Sequence, residues 1–435
     1  MDRRNFLLTG VASAYTANLL AEMDRPFALL LDKQINRLEN EDSMTSAENE
    51  DFWGWMRQNY TISPNLINLN NGGVSPQPKV VQDAHIRNYQ YSNEAPSYYM
   101  WRILDQGREA LRLKLSELCG VLPAELAINR NATEGLNSII FGLNLNEGDE
   151  IVLSSFDYPN MMNAWKQREK RDKVKLIWID IPQPFENDDA IVKLYENAIS
   201  PKTKIVHITH MINWTGNIVP CKAIADMAHA KGCEVIVDAA HSFAHLNFKL
   251  PDTGADYLAT SLHKWLGAPF GSGLLYIKKE KIRNVWALLS SVEPDGDDII
   301  KFESLGTRSF ASEMAIGTAV DFHNTIGAVR KETRLRFLKD YWTTKVKDLP
   351  NVKFYTSLKP THSCSMATIG VKDWKAQQIE TWLFDKYKIH CVSIVHKEVN
   401  GVRIAPNLYT SLQDLDHLVT ALTNISKLEP PGSGK

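Results

Sequence analysis

The sequence predicts an α/β fold, with a mostly parallel central sheet, helices on both faces and a smaller C-terminal α+β domain. Three observations predict it. From about Glu125 onward, short runs that are apolar throughout alternate with helical patterns, as in strands covered on both faces. Near Ala311 this rhythm gives way to longer helical patterns and shorter strands. The chain of 435 residues is 44% hydrophobic, enough for a sizeable core, and has no apolar run long enough to predict a spanning helix.

In chain order, the strand candidates of the large domain are Leu126–Ile128, Glu150–Ser154, Lys175–Asp180, Lys204–Thr209, Glu234–Asp238, Tyr257–Thr260 and Gly273–Ile277. Helical patterns over Thr133–Leu143, Asn160–Arg171, Asp188–Ile199 and Lys222–Lys231 connect them. Two long helices, Met314–Arg330 and Thr333–Lys347, open the second domain, and strands Met366–Val371 and Arg403–Ala405 follow. Upstream, Asn70-Asn71-Gly72-Gly73 with Pro76 and Pro78 marks turns. Trp53-Gly54-Trp55 opens an ordered arm, and Asp32 to Asp51 carries seven acids against two bases. The expected division is a leader over 1–25, an acidic linker over 26–51, arm and large domain over 52–310, and small domain over 311–430.

Charge and cysteine usage exclude several classes. Lys+Arg number 49 against 51 Asp+Glu, without the basic excess of a dedicated nucleic-acid binder. The five cysteines are scattered and form no CxxC pair, so neither a zinc ribbon nor a disulfide framework is expected. They read as reduced thiols of a chain folded in the cytoplasm. The start, Arg3-Arg4-Asn5-Phe6-Leu7-Leu8 with a mild apolar stretch to Ala21, resembles a twin-arginine export leader. The expectation is a periplasmic protein carried by the twin-arginine machinery, its leader either cleaved or kept as an anchor. The alternative is an amphipathic helix with a chance arginine pair.

Ligands of open α/β sheets gather at the carboxyl ends of strands. Asn131-Ala132-Thr133-Glu134-Gly135 sits between a strand and a helix, where amides and the helix dipole favour a phosphate, or where Asn131 or Thr133 simply caps the helix. Asp238 ends the apolar Val235-Ile236-Val237, a costly place for a carboxylate without a cation or donor. Ser261-Leu262-His263-Lys264-Trp265 follows another strand. A lysine there, flanked by hydroxyl and imidazole, suits a Schiff base with a carbonyl cofactor. The alternative, a surface lysine in a turn, sits poorly with Trp265, Leu266 and Phe270. His207 with His210 and His241 with His245 raise a metal reading. However, the second pair lacks the Glu of an HExxH motif, and residues three apart on a strand face opposite ways, so no metal is expected.

Asp238-Ala239-Ala240-His241, followed by Ser261-x-His263-Lys264 with the lysine 26 positions after the Asp, resembles the class V aminotransferases. So do Leu69-Asn70-Asn71-Gly72-Gly73, Ala132-Thr133-Glu134-Gly135, Tyr158-Pro159-Asn160, Asn213-Trp214-Thr215-Gly216, Gly306-Thr307 and Arg403-Ile404-Ala405. The resemblance runs from about Asn68 to Leu422 and is strongest to the isopenicillin N epimerase branch. With the leader, the chain also resembles twin-arginine-exported periplasmic enzymes of pyoverdine maturation.

The resemblance implies a fold-type I homodimer using pyridoxal 5′-phosphate. Lys264 would hold the cofactor as a Schiff base and move protons between substrate Cα and cofactor C4′. Asp238 would pair with the pyridine nitrogen, Tyr158 (or Phe156) would stack on the ring, and Asn213 would donate to the phenolic oxygen. The Ala132 and Thr133 amides, Ser261 and His263 would hold the phosphate, with His241 near ring or phosphate and Thr307 reaching the phosphate of a neighbouring subunit. Arg403 would fork onto the substrate α-carboxylate beside Asn71 and Gly72, its alternative being an ordinary strand ion pair. Tyr98, Tyr99 and Trp101 either line the substrate pocket or pack the arm. The implied activity is an aminotransferase acting on an amino acid or an amino-acid residue of a peptide, such as a siderophore precursor. An epimerase and a C–S or β-lyase share the scaffold, and a non-catalytic binding protein is the alternative outside the enzymes. A desulfurase needs a thiol on a mobile loop, whereas Cys364 and Cys391 fall at predicted strands and Val395–Asn400 holds none.

Overall fold

A computed structural model describes residues 24–38 and 41–430. Arg3, Arg4 and the apolar stretch after them lie outside the described residues. The strands are β1 (Ile67–Asn68), β2 (Leu126–Asn129), β3 (Glu150–Ser154), β4 (Lys175–Ile179), β5 (Thr203–Thr209), β6 (Glu234–Asp238), β7 (Tyr257–Ser261), β8 (Gly273–Ile277), β9 (Val352–Phe354), β10 (Ala367–Val371), β11 (Ile389–His390), β12 (Val392–His396) and β13 (Val399–Ile404).

Seven strands form the central sheet in the order β2-β8-β7-β6-β5-β3-β4. Only β8 runs antiparallel to its neighbours, β2 and β7. Both faces are covered, which is why β2, β7 and β8 are buried at every position. Helices begin where the sequence supplies a cap. Asn131 accepts from Glu134 N at 2.8 Å to start Ala132–Gly142, and Pro159 opens Pro159–Asp172. The second sheet, β12-β13-β10-β9, is antiparallel, and β1 pairs in parallel with β11, tying the segment after the arm to the small domain.

Two expectations on organisation need correction. The described residues of 26–51 are not a linker. They form helices Arg25–Asn36 and Ser43–Glu48 and begin Glu50–Gln58, with Leu31 and Ala47 fully buried. Three of the acids that suggested a linker serve these helices: Asp42 caps one, while Glu50 and Asp51 occupy the first turn of the next; Asp24, just upstream, caps the first. The buried Arg334 fastens the arm, donating to Ala47 O at 2.8 Å and pairing with Glu50. The boundary drawn at 311 also falls inside a helix, Phe310–Ile326, whose Phe310, Met314 and Ala319 belong to the same core as Val152 and Leu274. That helix stops before Arg330, because Gly327 takes φ +88°, a turn that only glycine adopts without strain. No helix among the described residues is long and apolar enough to cross a membrane.

Candidate active site

Register places Thr209 beside Asp238 and Asp238 beside Ala259, so β5, β6 and β7 end together. At these ends lies a cavity of about 300 Å³. Gly72, Ala132, Thr133, Tyr158, Asn213, Asp238, His241, Ser261, His263, Lys264 and Arg403 all line it, although they come from positions 331 residues apart.

The lysine comes first. Lys264 Nζ lies 3.0 Å from His241 Nε2. Burial lowers its pKa to about 8; Arg403 pushes the same way and Asp238 opposes. Burial, together with the charges of Lys264, Arg403 and His245, holds His241 well below the usual imidazole range. The ring is therefore neutral: Nε2 shares its hydrogen bond with Lys264 Nζ, and Nδ1 is buried with no partner among the described residues. His245 fixes this geometry from behind. Its Nδ1 donates to His241 O at 2.9 Å, its Nε2 accepts from Ser365 N at 3.0 Å, and its ring stacks on Trp265 at 3.7 Å. Both nitrogens are used, so the His241/His245 spacing builds local structure. His207 Nδ1 accepts from Trp165 Nε1 at 3.3 Å, while its Nε2 is buried with no partner among the described residues.

Asp238 is buried and accepts from Ala240 N at 2.9 Å. Burial pushes its pKa up, while the Ala240 amide and Lys264 pull it down. Arg403 is buried too. Its Nη1 donates to Asn213 O at 2.6 Å and its Nη2 to Asn70 Oδ1 at 3.1 Å, while Nε is left without a partner. No acid pairs with it among the described residues, so the strand ion pair is not what is found. Burial lowers its pKa to about 10. A buried cation in this state is strongly biased toward an incoming carboxylate.

At the other end, the Ala132 amide donates to Ser261 Oγ at 3.0 Å beside Thr133. His263 Nδ1 donates to Ser272 O at 3.0 Å. The two readings of Asn131 therefore coexist: its side chain caps the helix while the amide end opens on the cavity. The whole set fits pyridoxal 5′-phosphate: a helix N-terminus for phosphate, a buried carboxylate for a pyridinium, the half-exposed Tyr158 for the ring, and an amine of low pKa. The orphaned His241 Nδ1 is a buried polar atom that a ligand would satisfy.

Not every expected residue arrives. Asn71 is fully buried off the cavity, its Nδ2 on Ala405 O at 2.8 Å and its Oδ1 accepting from Tyr409 OH at 2.6 Å. The turn brings Gly72 and Gly73 to the wall instead. Phe156 is buried edge-on to His396 at 4.9 Å, leaving Tyr158 as the aromatic. Thr307 lines a second cavity with Asn129 and Arg308, and its expected reach concerns a second chain. Tyr99 packs on Tyr91 and Trp101 on Phe310, and neither they nor Tyr98 line this cavity. Sequence reasoning missed Thr209, which lines the cavity and donates to Asp157 Oδ1 at 2.7 Å. It also missed Asp157, a buried carboxyl pushed up to about 7 by burial and by Asp238, against the Thr209 and Ser154 donors. Its signal was an acid just past a strand end.

Gly72 is required by close approach. A Cβ there would stand 2.9 Å from Met366 Sδ and 3.2 Å from Arg403 Cζ. Gly72→Ala should displace the guanidinium and weaken carboxylate ligands about tenfold, or ~1.4 kcal/mol, by spectral titration, with the bound cofactor's absorption unchanged.

The aminotransferase class-V family model matches residues 67–418. Isopenicillin N epimerase of Streptomyces clavuligerus is 26% identical over 391 residues, 85% of this chain and 97% of its own. A probable cysteine desulfurase of Halalkalibacterium halodurans is 28% identical over 411 residues, 87% of this chain and 97% of its own. The solved cysteine desulfurase of Thermococcus onnurineus shares the fold with TM-score 0.75 at 22% identity, covering 86% of this chain and 98% of its own.

Proposed function

The chain belongs to the aminotransferase class-V family and is a pyridoxal-phosphate-dependent enzyme, and from that premise we propose that it is an aminotransferase acting on an amino acid or an amino-acid residue of a peptide. The observation that carries this reading is the convergence, in one cavity, of a low-pKa amine (Lys264), a buried carboxylate (Asp238) and an un-neutralised Arg403. The cofactor, when bound, supplies an electron sink for the carbanion at substrate Cα. Asp238 sustains that sink by holding a proton on the pyridine nitrogen. Arg403 orients the substrate through its α-carboxylate. Lys264, neutral for an appreciable fraction of the time near pH 8, would take the proton from substrate Cα and carry it toward the cofactor's C4′. All five cysteines are buried, and burial pushes Cys364 up to about 12, which speaks against the exposed thiolate that a desulfurase step needs.

A second reading, epimerisation at Cα, is favoured by the Streptomyces relative and by Tyr158, a second proton-bearing group on the cavity wall. The Arg3-Arg4 leader supports export to the periplasm, with a peptide siderophore precursor as the substrate class. Buried thiols suit a chain folded under reducing conditions before export. In the homodimer that the family resemblance implies, Thr307, which lies off this cavity, would serve the neighbouring subunit. An amino-acid and peptide panel in deuterated water tests the chemistry. Keto-acid release matched by amino transfer to an added keto acid is expected. Deuterium at Cα with loss of configuration and no keto acid would establish the epimerase, and β-elimination products would overturn both.

A further inference from the structure

Residues 24–66 precede the family-matched stretch, yet their last helix is wired to the carboxylate end of the cavity. Arg57, near the end of helix Glu50–Gln58, donates from Nη1 to Tyr409 O at 2.7 Å and pairs with Asp414 Oδ2 at 2.5 Å. Asp414 Oδ2 also accepts from Ser411 N at 3.0 Å, closing the cap of helix Leu412–Ile425. The Tyr409 phenol is buried. It donates to Asn71 Oδ1 at 2.6 Å and accepts from Asn68 Nδ2 at 2.9 Å. Asn71 continues the chain of contacts, with Nδ2 on Ala405 O at 2.8 Å, and Ala405 N returns to Leu69 O at 2.7 Å. The segment 68–73 is thereby zipped to the end of β13, the strand that carries Arg403. Asn70 Oδ1 from this segment accepts from Arg403 Nη2, and Gly72 lies against the same guanidinium.

We propose that Arg57, Tyr409 and Asn71 are positioning residues of the carboxylate site, through which the N-terminal arm fixes where the Arg403 guanidinium lies. This rests on the reading that Arg403 receives the substrate carboxylate. The physical need is plain. A buried guanidinium held by a backbone oxygen and one amide oxygen has no acid to fix it, and the amide oxygen belongs to a turn with two glycines. Without a brace, that turn is free to take other conformations, and the fork loses its aim.

The test compares two probes on the cofactor-loaded, full-length enzyme: aminooxyacetate and methoxyamine. Both attack the cofactor's C4′ carbon through the same aminooxy nitrogen and displace Lys264 Nζ as a free amine, but only the first carries a carboxylate. The readout is the ratio of their rates, followed by loss of the visible band. The native enzyme should prefer aminooxyacetate, and Arg403→Met should bring the ratio close to one. Tyr409→Phe and Arg57→Met should each lower the ratio about tenfold with the methoxyamine rate unchanged. If both variants keep the native ratio while Arg403→Met loses it, the proposal is overturned and the Arg403 reading stands. If both probes slow equally in the variants, the contacts are merely structural and the proposal is again overturned. If the native enzyme shows no carboxylate preference, or Arg403→Met keeps it, the Arg403 reading itself fails.

Discussion

Lys264→Ala should abolish the visible absorption of the cofactor-loaded protein and lower turnover on the order of 10⁴-fold, since proton transfer by a positioned base contributes up to about that much. The colour depends on the bond between Lys264 Nζ and the cofactor, so a borohydride-reducible band retained in the variant would reassign the lysine. The environment adds a pH prediction. Burial favours the neutral amine and lowers Lys264 to about 8, and the un-neutralised Arg403 adds to the effect. The neutral amine is the form that captures a carbonyl. Cofactor capture by the cofactor-free protein should therefore speed up as pH rises through about 8 and then level off. An exposed lysine would keep gaining rate to about pH 10.4. Stopped-flow recording of the visible band against pH decides between them, and a midpoint near the ordinary lysine value would contradict the burial argument.

Much of this centre was legible in the sequence because its chemistry is local to strand ends. Asp238 after three β-branched residues, and Lys264 between imidazole and indole, are conspicuous in one dimension, since a charged group in apolar company demands a partner. The strands were legible for the same reason: runs such as Glu234–Asp238 and Gly273–Ile277 are apolar enough to demand burial on both faces. Position within a turn was less legible. Asn70, Asn71, Gly72 and Gly73 are adjacent, and only the fold decides that Asn71 turns inward to Tyr409 while the glycines form the wall. Long-range pairing was not legible at all. The acid-rich stretch before residue 52 reads as solvated until Arg334, 284 residues away from Glu50, is seen to bind it. Asp157 and Thr209 were missed because their significance is mutual: a hydroxyl 52 positions downstream turns a strand-end acid into half of a buried pair.

Asp238→Asn should move activity and stability in opposite directions. Asparagine cannot hold a proton on the pyridine nitrogen, so turnover should fall on the order of 10³-fold, within the range seen when an electrostatic stabiliser is removed. The cofactor-free protein should nevertheless melt a few degrees higher at neutral pH. Burial raises the Asp238 carboxyl above its ordinary value near 4. Below that value the residue is protonated both folded and unfolded, and it contributes no penalty. As pH rises from there through the elevated folded value, the unfolded chain releases its proton first, and the folded state loses stability until it too has ionised. Asparagine removes that penalty and keeps an oxygen for the Ala240 amide. The gap in melting temperature between the variant and its parent should therefore open as pH rises above about 4, and it should vanish in acid. Loss of the Asp238 charge also relieves Asp157, whose pKa near 7 that charge helps to raise, adding to the effect in the same window. Loading with cofactor should reverse the order, because a pyridinium gives the native aspartate the counter-charge it lacks, whereas asparagine gains only a neutral hydrogen bond. Melting curves of both proteins, with and without pyridoxal 5′-phosphate, make this a four-way comparison. A variant that loads, is stabilised by the cofactor as much as its parent and retains turnover would remove Asp238 from the role proposed for it.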